Sequence, residues 1–482
     1  MMFDKRRLHP IGILFNFIEA AKSLFLPLIF FLILGPGMDS VWIIVGVVLL
    51  FIVVNGIIGF LKWWRFTYWV EDRELRIEFG LFVKNKRFIP IERIQSIDNK
   101  AGIFHQLFKV VKLDIETAGG GGDAEASLTT VTKEEAELLR SLLMERKEAQ
   151  EPNVYEGWET DQKVFSRKVT FLELVIAAAT SGGVGVILSA LFAFVFQLEE
   201  FIPDQMYESI YEQVISQSIL FLSIASLILF VFLWALASLW GIQKQFGFTI
   251  TRKGDDLVIT RGLLEKVHLT VPVKKIQALR YHQNIGRQPL GYVSILAEVA
   301  GGGSNKETDF STILFPIMKE VELLTFLENL LPEWELNTSW EPLPVRSRKR
   351  YLFRALILFV PIIVAVAWLI PAYLWIVLLA AGISVFFGYL RFKDGGYFIM
   401  NDFFSTRFRM ISREVVITPL KRVQSISLKQ QPFQKRAHLF SFEFSVISKQ
   451  SGKDFLLKDL SKEQGDRIWS WYSRNRDEKL TE

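Results

Sequence analysis

Three stretches of this chain contain no lysine or arginine, and about thirty residues beyond each comes the same eight-residue phrase. Pro90 to Ile97 reads PIERIQSI, Pro272 to Leu279 reads PVKKIQAL, and Pro419 to Ile426 reads PLKRVQSI. The shared pattern is Pro, apolar, charged, basic, apolar, Gln, small, apolar. A unit made of an apolar segment plus a polar domain has been used three times, and a repeat on this scale sets the architecture before any local reading does.

The three apolar windows run from Ser23 to Leu61, Val169 to Gln243 and Ala355 to Leu390, so all 56 basic residues lie outside them. Basic residues crowd the edges: Lys22, Lys62, Arg167, Lys168, Lys244, Arg354 and Arg391. A helix needs about 20 apolar residues to cross the hydrocarbon core. Windows of 39 and 75 residues hold two spans each, and so does the last, of 36, if its ends extend slightly; each is broken near its middle, by Gly35-Pro36-Gly37, by an acidic loop from Glu199 to Glu212, and by Pro371. Six spans in three hairpins are expected. The turns lack Lys and Arg and the outer ends are rich in them, so the positive-inside rule puts both termini and the polar domains in the cytoplasm. The windows hold seven acidic residues, which leaves 56 basic against 44 acidic residues on the inner parts. Buried helices of a soluble protein would be shorter and amphipathic. Charged residues still make up 22% of the 482, too many for a bare transporter bundle. With no Cys, the chain has no disulfide, thiolate metal site or cysteine nucleophile. Lys5, Arg6 and Arg7 precede the first window, but no small-residue cleavage site follows, so no signal peptide is expected.

Small residues recur every fourth position in the third span (Ala177, Ser181, Gly185, Ser189, Ala193) and in the sixth (Ala380, Ser384, Gly388). That spacing lets helix backbones approach closely within one chain. A pore would need polar or ionisable residues at mid-membrane depth. Only Asn55 and Glu173 qualify, and Glu173 lies near the end of its span.

After each hairpin, alternation with a period of two predicts half-buried strands. Examples are Leu75, Ile77 and Phe79; Leu257 and Ile259; and Phe404, Thr406, Phe408 and Met410. Each domain then closes on an amphipathic helix. Thr132 with Glu135 and Ser461 with Gln464 form capping boxes, and Pro316 fits a first helical turn in the second repeat. Leu138, Leu139, Leu142 and Leu143 form an apolar stripe, as do Val321, Leu324, Leu327 and Leu330. The fold class is α+β: three membrane hairpins, each followed by a small barrel or sandwich of short strands with a C-terminal helix.

These residues carry a resemblance. Strands and a terminal helix around Gly-Leu and then Ile-Pro-x-x-Arg-Ile-Gln-Ser-Ile look like the bacterial pleckstrin-homology-like (PH-like) domain. Three copies behind three hairpins resemble the YdbT-like membrane proteins of Gram-positive bacteria over essentially the whole chain. The first copy fits best, with Pro90, Arg93, Ile94, Gln95, Ser96, Gly102 and Phe104. The second has Lys275 and Ala278 but keeps Gly286, Gly291 and Ala300 to Gly303. The third keeps Pro419, Arg422 and Gln424, with no glycine in the following loop. The resemblance implies a companion membrane protein with a single such domain, and a part in protecting the envelope against antimicrobial peptides.

Two readings of the repeated phrase are open. Structurally, Pro90, Pro272 and Pro419 would start or edge a strand. Ile94, Ile276 and Val423 would then face the core, and Gln95, Gln277 and Gln424 would point outward. Functionally, Arg93, Lys275 and Arg422, with Arg87, Lys274 and Lys421 near them, would bind an anionic lipid headgroup or a protein partner. A second basic cluster, Arg346, Arg348, Lys349, Arg350 and Arg354, sits directly before the fifth span. It suits contact with anionic lipids, and it also suits a topology signal. The glycine runs Gly119 to Gly122 and Gly301 to Gly303 lack the Lys-Ser/Thr of a nucleotide loop and read as hairpin turns. The five histidines are scattered, with no metal spacing, nucleophile elbow or carboxylate pair.

The sequence therefore predicts a non-enzymatic, multi-pass protein of the bacterial cell membrane that acts as a scaffold, with no cofactor. Expected partners are anionic membrane lipids and the smaller PH-like protein, and no nucleic acid; a transporter or channel subunit is the alternative. Its parts are an N-terminal segment and hairpin (1–62), a first PH-like domain (63–150), a linker (151–166), a second hairpin (167–243) and domain (244–335), a basic linker (336–350), and a third hairpin (351–390) and domain (391–482).

Overall fold

A computed structural model describes residues 3–18, 22, 41–117, 125–148, 165–181, 189, 219–300, 311–334, 339–448 and 452–478. The breaks at Gly35-Pro36-Gly37 and Glu199 to Glu212, the runs Gly119 to Gly122 and Gly301 to Gly303, and the linker up to residue 164 lie outside the described residues. The chain divides into two compact units. The first is Met1–Lys163, Leu174–Thr249 and Val258–Thr270; the second is Val164–Glu173, Ile250–Leu257 and Val271–Glu482.

Among the described residues, strands come in sets of seven. The first set is β1 (Phe3–Arg7), β2 (Thr67–Glu71), β3 (Glu74–Phe79), β4 (Asn85–Pro90), β5 (Ile94–Ala101), β6 (Val110–Thr117) and β7 (Ala126–Thr132). The second is β8 (Ser166–Lys168), β9 (Thr249–Lys253), β10 (Asp256–Arg261), β11 (Lys266–Pro272), β12 (Ile276–Gln283), β13 (Tyr292–Val299) and β14 (Ser311–Lys319). The third is β15 (Glu341–Pro342), β16 (Gly396–Met400), β17 (Phe403–Arg409), β18 (Arg413–Pro419), β19 (Val423–Lys429), β20 (Leu439–Val446) and β21 (Lys453–Ser461). Every set begins before its apolar window, so each window is inserted between a first and a second strand. β1 pairs with β2 (Arg7 opposite Thr67), and β15 with β16 (Glu341 opposite Tyr397). Residues 3–7 and 341–342 thus belong to strand sets, where the sequence suggested a hairpin segment and a linker.

In the first unit, β1-β2-β3-β4 form one sheet, and a second runs β7-β6-β5-β11-β10. Alternation in β2 and β3 sends Tyr68, Val70, Leu75 and Ile77 inward, against Ile97, Leu113, Ile115 and Leu128 of the second sheet. The helix Lys133–Glu148 closes this core with Ala136, Leu139 and Leu143, while Leu138 stays exposed. In the second unit, one sheet runs β14-β13-β12-β18-β17-β16-β15 and another β19-β20-β21. Its core is aromatic: the Phe404 ring lies 5.2 Å from Phe442 and 5.4 Å from Phe444, both edge-on. Such pairs add ~0.5–1.5 kcal/mol beyond the area they bury.

The three sets share one register. The residue four past the phrase proline pairs with the residue 27 past it: Ile94 with Thr117, Ile276 with Val299, Val423 with Val446. A bulge follows at the same place each time. The Ser461–Gln464 capping box is present in both directions (3.1 and 3.2 Å), and Glu135 N donates to Thr132 Oγ1 at 3.3 Å. The second repeat departs from expectation. Pro316 lies inside β14 and not in a helix; β14 is the outermost strand of its sheet, where a missing donor is tolerated. The helix is Leu323–Leu330, and it buries Leu323, Phe326, Leu327 and Leu330, leaving Val321 and Leu324 exposed.

Among the described residues, four helices are long and apolar enough to cross a membrane: Val48–Arg65, Ser223–Gln245, Val345–Leu369 and Pro371–Asp394. The third hairpin turns at Ile370–Pro371, as the sequence predicts. Its helices touch where side chains are small. Ser384 donates to Ala355 O at 2.9 Å, and a Cβ on Gly388 would sit 2.8 Å from that of Ala355. Asn55 donates to Phe51 O of its own helix at 2.9 Å. Thr170 and Glu173 cap the helix Phe171–Ala179 reciprocally, at 2.8 and 3.3 Å.

Candidate functional site

The repeated phrase builds the same turn three times. Each proline ends a strand, and one turn of 3-10 helix follows (Ile91–Arg93, Val273–Lys275, Leu420–Arg422) before the next strand starts. The first amide of that turn donates to a carbonyl 18 residues upstream: Ile91 to Arg73 (2.9 Å), Val273 to Asp255 (2.8 Å), Leu420 to Asp402 (2.6 Å). Proline suits the position because its fixed φ leads into the turn and no donor is missed. Ile94 and Ile276 are buried as expected, and Val423 packs against its core from a half-buried position.

The long apolar helices meet the other end of these strands. The β3–β4 tip is tied to the helix Val41–Arg65 through Arg65, which donates to Leu81 O. The β10–β11 tip is tied through Leu263 N to Gln243 O at 3.1 Å, and the β17–β18 tip through Arg391 Nε to Met410 O at 2.8 Å. These tips are apolar and open: Phe82 is 99% exposed and Met410 71%, with Val83, Leu263, Leu264 and Ile411 beside them. Exposed apolar groups next to a span suit the bilayer interface. β4 covers six residues. The phrase therefore lies about 20 Å from its tip by strand rise. Arg93, Lys275 and Arg422 sit at the end away from the spans.

Lys275 and Arg422 lie instead near a strand junction. β5 pairs with β11 (Ala101 opposite Lys266, Asn99 opposite His268), and β12 pairs with β18 (Gln283 opposite Arg413, Leu279 opposite Ile417). Both junctions use one register: the residue 11 past a phrase proline faces the residue six before the next one. Arg422 donates to Lys274 O, joining the turns of the second and third repeats. Gln277 is only 2% exposed, because β18 covers it; Thr418 Oγ1 donates to its carbonyl at 2.9 Å. The expected outward glutamine is found at Gln424, which is exposed.

The junctions hold buried charge that the sequence analysis did not single out. Arg280 donates to Glu298 at 2.9 Å and to Glu414 at 2.7 Å, and Lys453 reaches Glu298 at 2.9 Å. These cations hold Glu298 below the usual carboxylate range against the cost of burial, and Glu414 falls to about 2 through His282 and Arg280. In the first unit, Asp98 accepts Thr270 N at 3.4 Å, and burial together with nearby Glu116 pushes its carboxyl up to about 8. The available signal was a charge in the middle of an apolar strand, at Arg280 in Ile276–Gln283.

The basic cluster before the fifth span divides in two. Arg350 Nε donates to the fully buried Asp459 at 3.1 Å, Arg354 donates to its other oxygen, and Arg346 donates to His438 O at 3.2 Å. Arg348 and Lys349 point outward from the start of the helix Arg348–Ile357. Nearby, an open cleft lies beside the basic ends of the helices Val345–Leu369 and Pro371–Asp394. It is lined by Tyr351, Arg354, Arg391, Arg409, Lys458 and Asp454, among others. Asp459 neutralises Arg354 and Asp394 neutralises Arg409, so Arg391 and Lys458 are the cations suited to an anionic headgroup. Among the described residues, no group of His, Asp or Glu could hold a metal ion.

The strand sets, their common register and the closing helices agree with a comparison by sequence. The description "Bacterial PH domain" matches three times, at residues 22–147, 193–332 and 355–476. The chain belongs to the bacterial PH domain family. The UPF0699 transmembrane protein YdbT of Bacillus subtilis (strain 168) is 37% identical to it, over 98% of this chain and 99% of that protein. This chain is therefore a transmembrane protein with three bacterial PH domains; the first and third matches take in a whole apolar window and the second part of one, together with the strands after it.

Proposed function

We propose that this bacterial PH-domain protein is a non-enzymatic scaffold of the cell membrane. Six spans in three hairpins hold both termini and all three domains at the cytoplasmic face, and each domain is a small two-sheet barrel or sandwich. One observation carries the reading: every described domain tip is hydrogen-bonded to the end of a span and exposes apolar side chains there. The domains are thus held against a bilayer, with strand edges and phrase residues turned away from it. Anionic lipids fit the cleft at Arg391 and Lys458 and the outward Arg348 and Lys349. Arg93, Lys275 and Arg422 belong to the protein-contact side. By its resemblance, the chain assembles with a smaller membrane protein carrying one PH-like domain and serves envelope defence against antimicrobial peptides.

Native mass spectrometry of the full chain released from mild detergent tests this. Anionic phospholipids should stay bound in preference to zwitterionic ones. Arg348→Gln, Lys349→Gln and Lys458→Gln together should weaken retention by up to about a hundredfold, at ~1 kcal/mol per basic residue. Unchanged retention would remove the lipid part of the proposal, and absence of any smaller co-purifying membrane protein would remove the partner.

A further inference from the structure

The register that joins neighbouring repeats leaves two strands over. β4 is the last strand of the sheet β1-β2-β3-β4, and β19 the last of β19-β20-β21. Their counterparts are paired on the corresponding side: β11 and β18 where β4 is open, β5 and β12 where β19 is open. Burial follows the pairing. Two residues before the phrase proline, Thr270 and Ile417 are buried, but Phe88 is 55% exposed. Seven residues past it, Ile97 and Leu279 are buried, but Ile426 is only partly covered. The two open edges are therefore the two halves of an interface that the chain already forms twice.

We propose that β19 of one copy adds to β4 of a second copy, joining chains head to tail through the interface that joins repeats within a chain. This goes beyond the scaffold reading and does not need it. The internal register would set Ile426 opposite Phe88, Ser427 opposite Arg87, Leu428 opposite Lys86 and Lys429 opposite Asn85. No like charges fall directly opposite. Lysine on an edge strand usually discourages pairing. Here, however, Lys84, Lys266 and Arg413 hold the same place six residues before the proline. Lys266 and Arg413 are paired regardless, facing the uncharged Ala101 and Gln283. Lys84 would face Gln430 in the same way. The phrase supplies both halves on one polypeptide, so a second copy fits without any other protein. Such a contact is heterologous, and it propagates until the rotation between neighbours closes it. Each repeat carries its own hairpin, so a copy added by the same operation stays in the same membrane.

The chain has no cysteine, so introduced thiols report cleanly. Two differently tagged full-length copies, one with Asn85→Cys and one with Lys429→Cys, would be co-expressed and oxidised in native membranes. Directly opposed Cα atoms of an antiparallel pair lie about 4.5–5.5 Å apart, within disulfide reach. The expected product has the mass of two copies, carries both tags and is cleaved by reductant. Glu92→Cys replaces Asn85→Cys in the control; that position lies beyond the end of β4 at Pro90, which is itself five residues and about 17 Å of strand from Asn85. It should yield at least tenfold less. Equal yield in the control, or no two-copy product from variants that elute as the native protein does, would overturn the proposal. So would a product containing only a different membrane protein, which would assign the edge to another chain.

Discussion

Replacing Asp98 with Asn should change how stability depends on pH. The Asp98 side chain lies on β5 where β11 joins it, 1% exposed; one oxygen accepts Thr270 N, and Oδ2 has no partner among the described residues. Burial first, and then the neighbouring Glu116, push its carboxyl up to about 8, although Thr270 N and Lys100 pull the other way. An unfolded aspartate titrates near 4. The folded value is raised, so the native state keeps a proton that the unfolded state loses in this window. The stabilisation is complete below about pH 4 and is lost as pH rises through about 8, at roughly 1.4 kcal/mol per pH unit. The total is at most about 5 kcal/mol, less whatever local rearrangement relieves. Asparagine keeps the shape and cannot ionise. Thermal unfolding of the full chain in detergent, followed by tryptophan fluorescence from pH 4 to 9, gives the comparison, because other groups cancel between variant and parent. The Asp98→Asn protein should match the parent within about 1 kcal/mol at pH 4 and exceed it by several at pH 8 to 9. A difference that stays constant with pH would refute the reasoning, and would mean that Asp98 ionises normally beside Lys100.

Three further outcomes are expected. Asp459→Ala removes the acceptor for Arg350, Arg354 and Gln434 and should cost the third repeat about 3–5 kcal/mol, measured by limited proteolysis of the full chain. Gly262 has φ +102°, and a Cβ there would lie 1.8 Å from Glu265 O, so Gly262→Ala should loosen the β10–β11 tip by more than about 1 kcal/mol, seen as faster amide exchange there. Reporters fused after Glu482, or inserted near Asn153 and Asn337, should be cytoplasmic and one near Asp204 external; an external signal at Asn153 would end the six-span reading.

The repeated phrase was legible because a strand end, a single 3-10 turn and a strand start demand the same residues at the same spacing. Pro371 and the Ser461–Gln464 cap were legible for a similar reason: each acts on its own neighbours in sequence. What stayed hidden depends on pairing across long separations. Phe3–Arg7 is mostly charged and shows no alternation, so nothing local marks it as a strand; Thr67 and Val70 define it by pairing with it. Glu341–Pro342 is too short to carry a pattern. The expectation that Gln277 points outward treated each domain as solitary, and β18 of the next repeat covers it. The stripe in the second closing helix was misplaced because Pro316, an edge-strand proline, was counted as a helix start.

A strand placed ahead of its hairpin also sets an order of events during synthesis. Phe3–Arg7 leaves the ribosome some sixty residues before Thr67–Glu71, the strand it must join. In the interval, the whole first apolar window is synthesised. The first sheet therefore cannot close until that window has been made, and the same holds for Glu341–Pro342 and Gly396 at the third window. A polypeptide trimmed to start after a hairpin would lack a strand of its own sheet, so these domains are not separable cargo on a membrane anchor.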